Sequence, residues 1–318
     1  MKTMIIGFAA VAFFFAGCSQ NETFKDEGSS GSIEFRNLND RIPGRAANDN
    51  NSDYGVFAVL TGGSPAATNW FMNNQKVLGT DDTYSPLKYW PANGTVDFYS
   101  YAPYNAATLD LSGVSWNNGT PDFDITYIVP TNANEDFTIA TPITGATSAN
   151  IQVALEFAHM LSKVSFQTIL EQSYIDDGFA ITLNSVTLRV PFNEGKNTLA
   201  NSTTDWSNLA VSPTGGNVVY TNETSYMIIP QPAFGTEIVL NVTITHNGGP
   251  YLTAQNLKPI VLTNANLVNF VKGTQYMFKA TIGNTSTDEN DVPVFNVIVF
   301  KSSMAPWNTT GDIELTNP

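Results

Sequence analysis

The sequence predicts an all-β fold, and three observations carry that prediction. Short apolar or alternating segments recur along the 318 residues, and turn-forming residues, including 23 Gly and 17 Pro, separate them. Residues 181–190, for example, alternate between apolar and polar side chains, which is typical of a strand with one buried face. No stretch sustains the 3.6-residue period of a helix, and only 174–178 and 262–272 could hold a helical turn. Short strands at this spacing favour β-sandwiches.

Length and charge limit the domain organisation and the partners. A chain of 318 residues exceeds what one hydrophobic core usually serves, so two domains are expected. The small, polar segment 141–149 is the predicted break, with one sandwich over 46–147 and a second over 148–318. The formal net charge of −14 disfavours nucleic acid as a partner, because phosphate contacts need a basic surface.

The N-terminus reads as a secretory signal. One lysine precedes an apolar run that is too short to span a membrane comfortably, and residues 1–17 are the predicted signal peptide. The run ends in Phe-Ala-Gly before Cys18, the single cysteine of the chain, which resembles a bacterial lipobox. This arrangement predicts acylation of Cys18 and anchoring in the outer membrane. An ordinary signal peptide followed by a chance cysteine is the alternative.

Residues 32–60 read as a strand, a polar loop and a second strand. Ile33 and Phe35 are the apolar positions of the first, alternating strand. The loop at 39–53 contains Arg41 and Arg45, and residues 54–60 form a buried-strand pattern. Because trypsin-like proteases cut at exposed basic residues in loops, the hypothesis is cleavage between Arg45 and Ala46, with Arg41 as the alternative site.

The distribution of basic residues supports this hypothesis. Loss of residues 1–45 would remove five of the 14 basic residues, and Arg189 would be the one arginine left. Arg189 lies in the alternating segment 181–190 and is followed closely by Pro191, so a protease would reach it poorly. The alternative is that three arginines, Arg36, Arg41 and Arg45, cluster by chance in a linker.

Residues that would indicate catalysis or metal binding are sparse. The two histidines, His159 and His246, lie far apart in sequence, and His159 is expected to be structural. The chain has no HExxH, GxSxG, P-loop or CxxC motif. Its carboxylate pairs fall in predicted turns, and 288–291 lacks the spacing of an EF-hand. The sequence therefore predicts no catalytic residues, no metal site and no cofactor.

Several segments, in their order along the chain, resemble the fimbrillin family of Gram-negative anaerobes, including the Mfa-like proteins. These segments are Ile-Glu-Phe at 33–35, the loop ending in Arg45 and Ala46, 54–57, 89–98, 101–103, 135–140, 155–164, 226–231 and 272–276, in addition to the lipobox at Cys18. Together they extend over most of the chain.

The resemblance implies two transthyretin-like β-sandwich domains and a cleavable leader strand within residues 18–45. It further implies a fimbrial subunit at the cell surface that matures by cleavage with an Arg-specific extracellular protease. Ile33 and Phe35 would fill a groove that a strand from another fimbrial subunit enters after cleavage. The donor strand would lie within 295–300 or 312–315, with Ile313 and Leu315 as its apolar residues.

Two other functions fit parts of the pattern. An outer-membrane, glycan-binding lipoprotein would need a platform of exposed aromatic rings, for which the candidates are Trp70, Trp90, Trp116, Trp206 and Trp307. A β-sandwich glycosidase would need two carboxylates that face one cleft.

Overall fold

The computed structural model describes residues 31–38, 52–63, 69–131, 135–150, 152–211, 218–223, 225–263, 267–287, 293–306 and 313–315. Twenty-five strands and one short helix make up the secondary structure of these residues. The all-β prediction is confirmed. The helix, α1 (Gln172–Asp176), overlaps the helical turn predicted at 174–178.

The first eleven strands precede residue 160. They are β1 (Phe35–Asn37), β2 (Tyr54–Thr61), β3 (Met72–Val77), β4 (Thr95–Ala102), β5 (Leu109–Asp110), β6 (Val114–Asn117), β7 (Thr120–Ile128), β8 (Thr138–Ala140), β9 (Ile143–Ala146), β10 (Val153–Leu155) and β11 (Phe157–His159).

The remaining strands follow along the chain. They are β12 (Ser162–Leu170), β13 (Phe179–Val190), β14 (Glu194–Thr198), β15 (Ser207–Ala210), β16 (Val218–Glu223), β17 (Ser225–Ile228), β18 (Gln231–Pro232), β19 (Glu237–His246), β20 (Gly249–Asn256), β21 (Ile260–Val261), β22 (Asn269–Phe270), β23 (Thr274–Thr287), β24 (Pro293–Pro306) and β25 (Ile313–Leu315).

The N-terminal part is built around β2. This strand pairs antiparallel with β3 on one side and β4 on the other, and the sheet continues through β8 to β11. Six consecutive β2 residues, from Tyr54 to Val59, are buried, because both faces of this central strand are covered. Burial on both faces explains why the sequence shows a continuous apolar run at 54–60 instead of alternation.

The C-terminal part packs two sheets face to face. One has the order β17-β12-β23-β24-β25, and the other has the order β16-β13-β19-β20. Alternate residues of β19 (Ile238, Leu240, Val242 and Ile244) are buried, and they share one core with Phe166 and the inward residues of β23. The alternating pattern in the sequence thus marks the inner face of each sheet.

A third sheet joins the two halves of the chain. Its order is β15-β14-β7-β5, and β14 pairs antiparallel with β7 over Glu194–Thr198. In addition, β10 and β11 pair with β1 and β8. The division of the chain at 147/148 stays a prediction.

Polar contacts attach the β14–β15 hairpin of the third sheet to other segments of the C-terminal half. The Trp206 indole Nε1 donates a hydrogen bond of 2.6 Å to the Met160 carbonyl, and the indole is buried. The Lys272 ammonium donates at 2.5–3.3 Å to three successive carbonyls, those of Ser202, Thr203 and Thr204. Each contact links the β14–β15 hairpin to a segment that is distant in sequence.

Candidate functional site: the leader groove

Residues 31–38, called the leader strand here, lie between two segments of the N-terminal part and are hydrogen-bonded to both. On one side, Ile33 N donates to Lys88 O at 2.8 Å, and Trp90 N donates to Gly31 O at 3.2 Å. On the other side, Val153 N donates to Glu34 O at 2.8 Å, and β1 continues parallel to β10. We call the slot between residues 88–90 and β10 the leader groove.

Alternate side chains of the leader strand point into the core. Ile33 and Phe35 are 1% and 3% exposed, whereas Glu34 between them is exposed. The Phe35 ring lies 5.3 Å from the Tyr84 ring and 5.7 Å from the Phe98 ring, centroid to centroid. The leader strand therefore supplies two side chains to the N-terminal core, whose other buried apolar residues all follow residue 53 in the sequence.

Two polar side chains that the sequence does not link to the leader strand fix it in place. The Tyr84 hydroxyl donates to Ile33 O at 2.9 Å and accepts from Lys88 N at 3.2 Å, so it joins the leader strand to its neighbour. The Asp82 carboxylate accepts from Asn37 N at 3.2 Å and from the Tyr54 hydroxyl at 3.0 Å. Asp82 has a φ of 59°, a left-handed conformation that Asp tolerates better than most residues.

The burial of these side chains is large on the scale of domain stability. Fully burying one Ile or Phe side chain contributes about 1.5–3 kcal/mol, so Ile33 and Phe35 together contribute about 3–6 kcal/mol. A whole domain is stable by about 5–15 kcal/mol. Without the leader strand, the groove would expose apolar side chains, the edge of β10 and the unpaired backbone groups of residues 88–90, a surface suited to a replacement strand.

The other predicted site residues fall elsewhere. Cys18, Arg41, Arg45 and Ala46 lie outside the described residues. The segment 313–315, which contains the predicted donor residues Ile313 and Leu315, forms β25 and pairs with Ser302–Met304 at the end of its own sheet. The alternative donor, 295–300, lies inside β24, which is paired with β23 along its length.

Arg189 and the two histidines have structural contacts. Arg189 lies in β13 and forms an ion pair with Glu237 on β19. The His159 Nδ1 atom lies 2.6 Å from an Asp136 carboxylate oxygen in a largely buried pair. His246 stacks on Phe179 with the ring centroids 4.2 Å apart. These contacts account for each of the three residues without a catalytic role.

The four tryptophans that the structure describes pack against the interior. Trp90 and Trp206 are 4% and 8% exposed. Trp70 and Trp116 pack edge to face at 5.5 Å and lie against the core, and Trp307 is outside the described residues. The four described indoles therefore do not form the aromatic platform that glycan binding would need.

Buried tyrosines give the fold a pH limit. Burial raises the pKa of Tyr101 to about 12, and burial also raises the pKa values of Tyr127 and Tyr220. The Tyr101 ring fits because Gly55 has no Cβ, since a Cβ there would lie 2.5 Å from the ring. Its hydroxyl donates to Asn74 Oδ1 at 2.9 Å.

These pKa values predict alkaline unfolding. The folded state favours neutral phenols, so their contribution to stability is complete below the ordinary tyrosine pKa of about 10 and is lost as the pH rises towards 12. In a tyrosinate absorbance titration, we expect exposed tyrosines to ionise first and the buried ones to ionise together with a loss of tertiary circular dichroism. Ionisation of every tyrosine near pH 10 with the fold intact would contradict this prediction.

The described residues give no sign of a metal centre or a membrane-spanning helix. No group of three or more His, Cys, Asp or Glu side chains among them could hold a metal ion. Within the same part of the chain, no helix has the length and apolar composition needed to cross a membrane.

A comparison with protein-family models identifies the family. The model described as fimbrillin-like matches residues 42–307, which is most of the chain. The chain belongs to the fimbrillin-like family. This fimbrillin-like protein is thus a structural protein of a cell-surface appendage and not an enzyme. The matched region begins after β1, inside the arginine-bearing loop.

Solved structures share the fold. A Bacteroides uniformis protein proposed to act in cell adhesion is 15% identical, with a TM-score of 0.55, and the match covers 87% of this chain and 99% of that one. A fimbrial protein from Bacteroides vulgatus is 17% identical, with a TM-score of 0.53 and the same coverage. At these identities the likeness concerns the fold alone. No curated protein sequence matches the fimbrillin-like chain significantly.

Proposed function

We propose that this fimbrillin-like protein is exported as a lipoprotein precursor, is cleaved after Arg45 and then polymerises by strand exchange. Acylated Cys18 would hold the precursor at the outer membrane. Cleavage by an Arg-specific extracellular protease would separate the leader strand from the rest of the chain. The donor strand would come from the C-terminal segment 312–315 of another fimbrial subunit, and the assembled fibre would support adhesion.

The observation that carries this proposal is the way the leader strand is bound. Ile33 and Phe35 are buried, and the backbone pairs on both sides, yet the strand reaches β2 through one loop that contains Arg41 and Arg45. After a cut in that loop, non-covalent contacts alone would retain the strand. A strand of similar pattern could then replace it in the groove.

The position of β25 supports a donor role for 312–315. This strand is three residues long and lies at the sheet edge, where it pairs with one neighbour only. In contrast, residues 295–300 are paired within the fourteen-residue β24, so their release would disrupt the C-terminal sheet. The shorter edge strand is the less costly one to detach.

Cleavage of the soluble precursor that begins at Asn21 tests the proposal. We expect an Arg-specific protease to leave Ala46 as the new N-terminus and to start formation of denaturant-resistant oligomers. The double variant Arg41→Ala/Arg45→Ala should stay intact and monomeric. Arg36→Ala is the matched control, because Arg36 lies in β1 rather than in the loop, and it should behave like the wild type. Oligomers from the double variant at the wild-type rate would overturn the proposal.

A further inference from the structure

The C-terminal sandwich has an outer face with an unusual charge. Strands β12, β23 and β24 each contain one lysine, which are Lys163, Lys279 and Lys301, and contain no acidic residue at all. The whole chain, however, has 28 acidic against 14 basic residues. We call the outward surface of these three strands the lysine face.

Strand register brings two of the lysines together. Lys279 pairs with Lys301 across β23 and β24, and Gln167 of β12 pairs with Lys279 on its other side. Residues directly opposite each other place their Cβ atoms about 4.5–5.5 Å apart, and like charges there are destabilising. No carboxylate whose position is described forms an ion pair with Lys279 or Lys301. An anionic partner above this row would remove the repulsion.

Apolar side chains lie beside the lysine row. The next row contains Ile169, 45% exposed, opposite Thr281, which in turn pairs with Val299, 42% exposed. A bulge between Thr281 and Ile282 adds Ile298, 39% exposed, to the same area. A contiguous group of exposed apolar side chains marks a protein interaction site more often than single scattered ones do.

Two acidic positions of the described chain adjoin the lysine face. Glu171 follows β12 and lies beyond the apolar row, with a carboxylate oxygen 2.8 Å from where a Cβ of Gly283 would be. Glu314 of β25 is opposite Ser303 in the register. Among the described strand positions, the row of Gln167, Lys279 and Lys301 and the row of Ile169, Thr281 and Val299 therefore contain no carboxylate.

A surface of opposite charge exists on the sheet that joins the two halves. Asp122 and Asp124 are exposed on alternate positions of β7, and Asp110 of β5 is exposed beside Thr126 of β7. We call these three residues the aspartate face. Lys196 on β14 is the one nearby cation in the register, opposite Thr126, so the aspartate face keeps a net negative charge.

We propose that the lysine face binds the aspartate face of a second copy of this chain. The complementary charges of the two faces favour this partner over others. The two faces differ, so the contact is head-to-tail. Repetition of such a contact gives an open array, unless the rotation between successive copies closes a ring. It is independent of the leader groove and would join subunits or fibres laterally.

Self-association of the uncleaved precursor tests this contact apart from strand exchange, because the leader groove is still filled. At low ionic strength, sedimentation velocity should show reversible association that salt weakens. Lys279→Glu/Lys301→Glu and Asp122→Lys/Asp124→Lys should each weaken the association by about tenfold or more, since like charges then face each other. The control is Lys258→Glu, because Lys258 is exposed but lies outside the lysine face, and this variant should retain the association.

A mixture of the two double variants provides the decisive comparison. Each variant alone should associate only weakly, and the mixture should associate again, because the two altered faces are complementary to each other and so are the two unaltered faces. A wild-type precursor that stays monomeric at low salt would overturn the proposal. Failure of the mixture to associate would also overturn it. Neither result would affect the cleavage-dependent oligomers.

Discussion

Phe35→Ala is expected to lower the free energy of unfolding of the precursor by about 3–5 kcal/mol, the range for truncating a buried aromatic side chain. Phe35 is 3% exposed and packs against the rings of Tyr84 and Phe98, so alanine would leave a cavity in the N-terminal core. The measurement is denaturant-induced unfolding of the soluble precursor.

The control for Phe35 is its neighbour Glu34. This side chain is exposed on the same strand, and Glu34→Ala should change stability by less than about 0.5 kcal/mol. Equal stability of Phe35→Ala and the wild type would mean that the leader strand is not part of the folded core in solution. That result would remove the physical basis of the strand-exchange proposal.

Trp206→Ala is expected to destabilise the junction of the two halves by a similar amount, about 3–5 kcal/mol. The indole packs near Tyr127 and Phe137, with ring centroids 6.1 Å away in both cases, and it donates to the Met160 carbonyl. Its loss leaves a cavity and an unpaired buried carbonyl. Since the contacts with Tyr127 and Phe137 join the β14–β15 hairpin to the N-terminal half, we expect one unfolding transition to separate into two.

Trp206→Phe separates the two effects. Phenylalanine keeps an aromatic ring but cannot donate to Met160, so the loss should be smaller, about 1–3 kcal/mol for the unpaired carbonyl. Calorimetry of both variants measures the effect. A single, unshifted transition for Trp206→Ala would contradict a role of this residue in coupling the halves.

Local patterns in the sequence predict the strands well. The apolar run at 54–60 predicts β2, and the alternation at 181–190 predicts β13 to within two residues at its start. Both patterns follow from burial of one or two faces of a strand, which side-chain period and composition record directly.

Pairing between distant segments is not predictable in the same way. The antiparallel pairing of β14 with β7 crosses the expected domain boundary, and its register depends on both strands at once. Asp82 illustrates the same limit in the leader groove. It reads as a turn residue in the sequence, and its contacts with Asn37 and Tyr54 arise only when three separate segments come together.

The most direct test of strand exchange is to lock the leader strand in its groove by a disulfide. Arg36 pairs with Ala154 in the parallel β1–β10 register, and Ala154 is exposed. Adjacent strands lie about 4.8 Å apart, within the Cα separation that a disulfide accepts. Arg36→Cys/Ala154→Cys in the soluble precursor from Asn21, which lacks Cys18, provides the pair, and Arg36→Cys alone is the control.

The measurement is oligomer formation after Arg-specific cleavage, with and without a reductant. We predict that the oxidised double variant is cleaved after Arg45 but remains monomeric, and that reduction then starts formation of denaturant-resistant oligomers. The single-cysteine control should form oligomers under both conditions. Oligomers from the oxidised double variant at the rate of the reduced one would contradict the account, because subunits would then assemble with the leader groove still occupied.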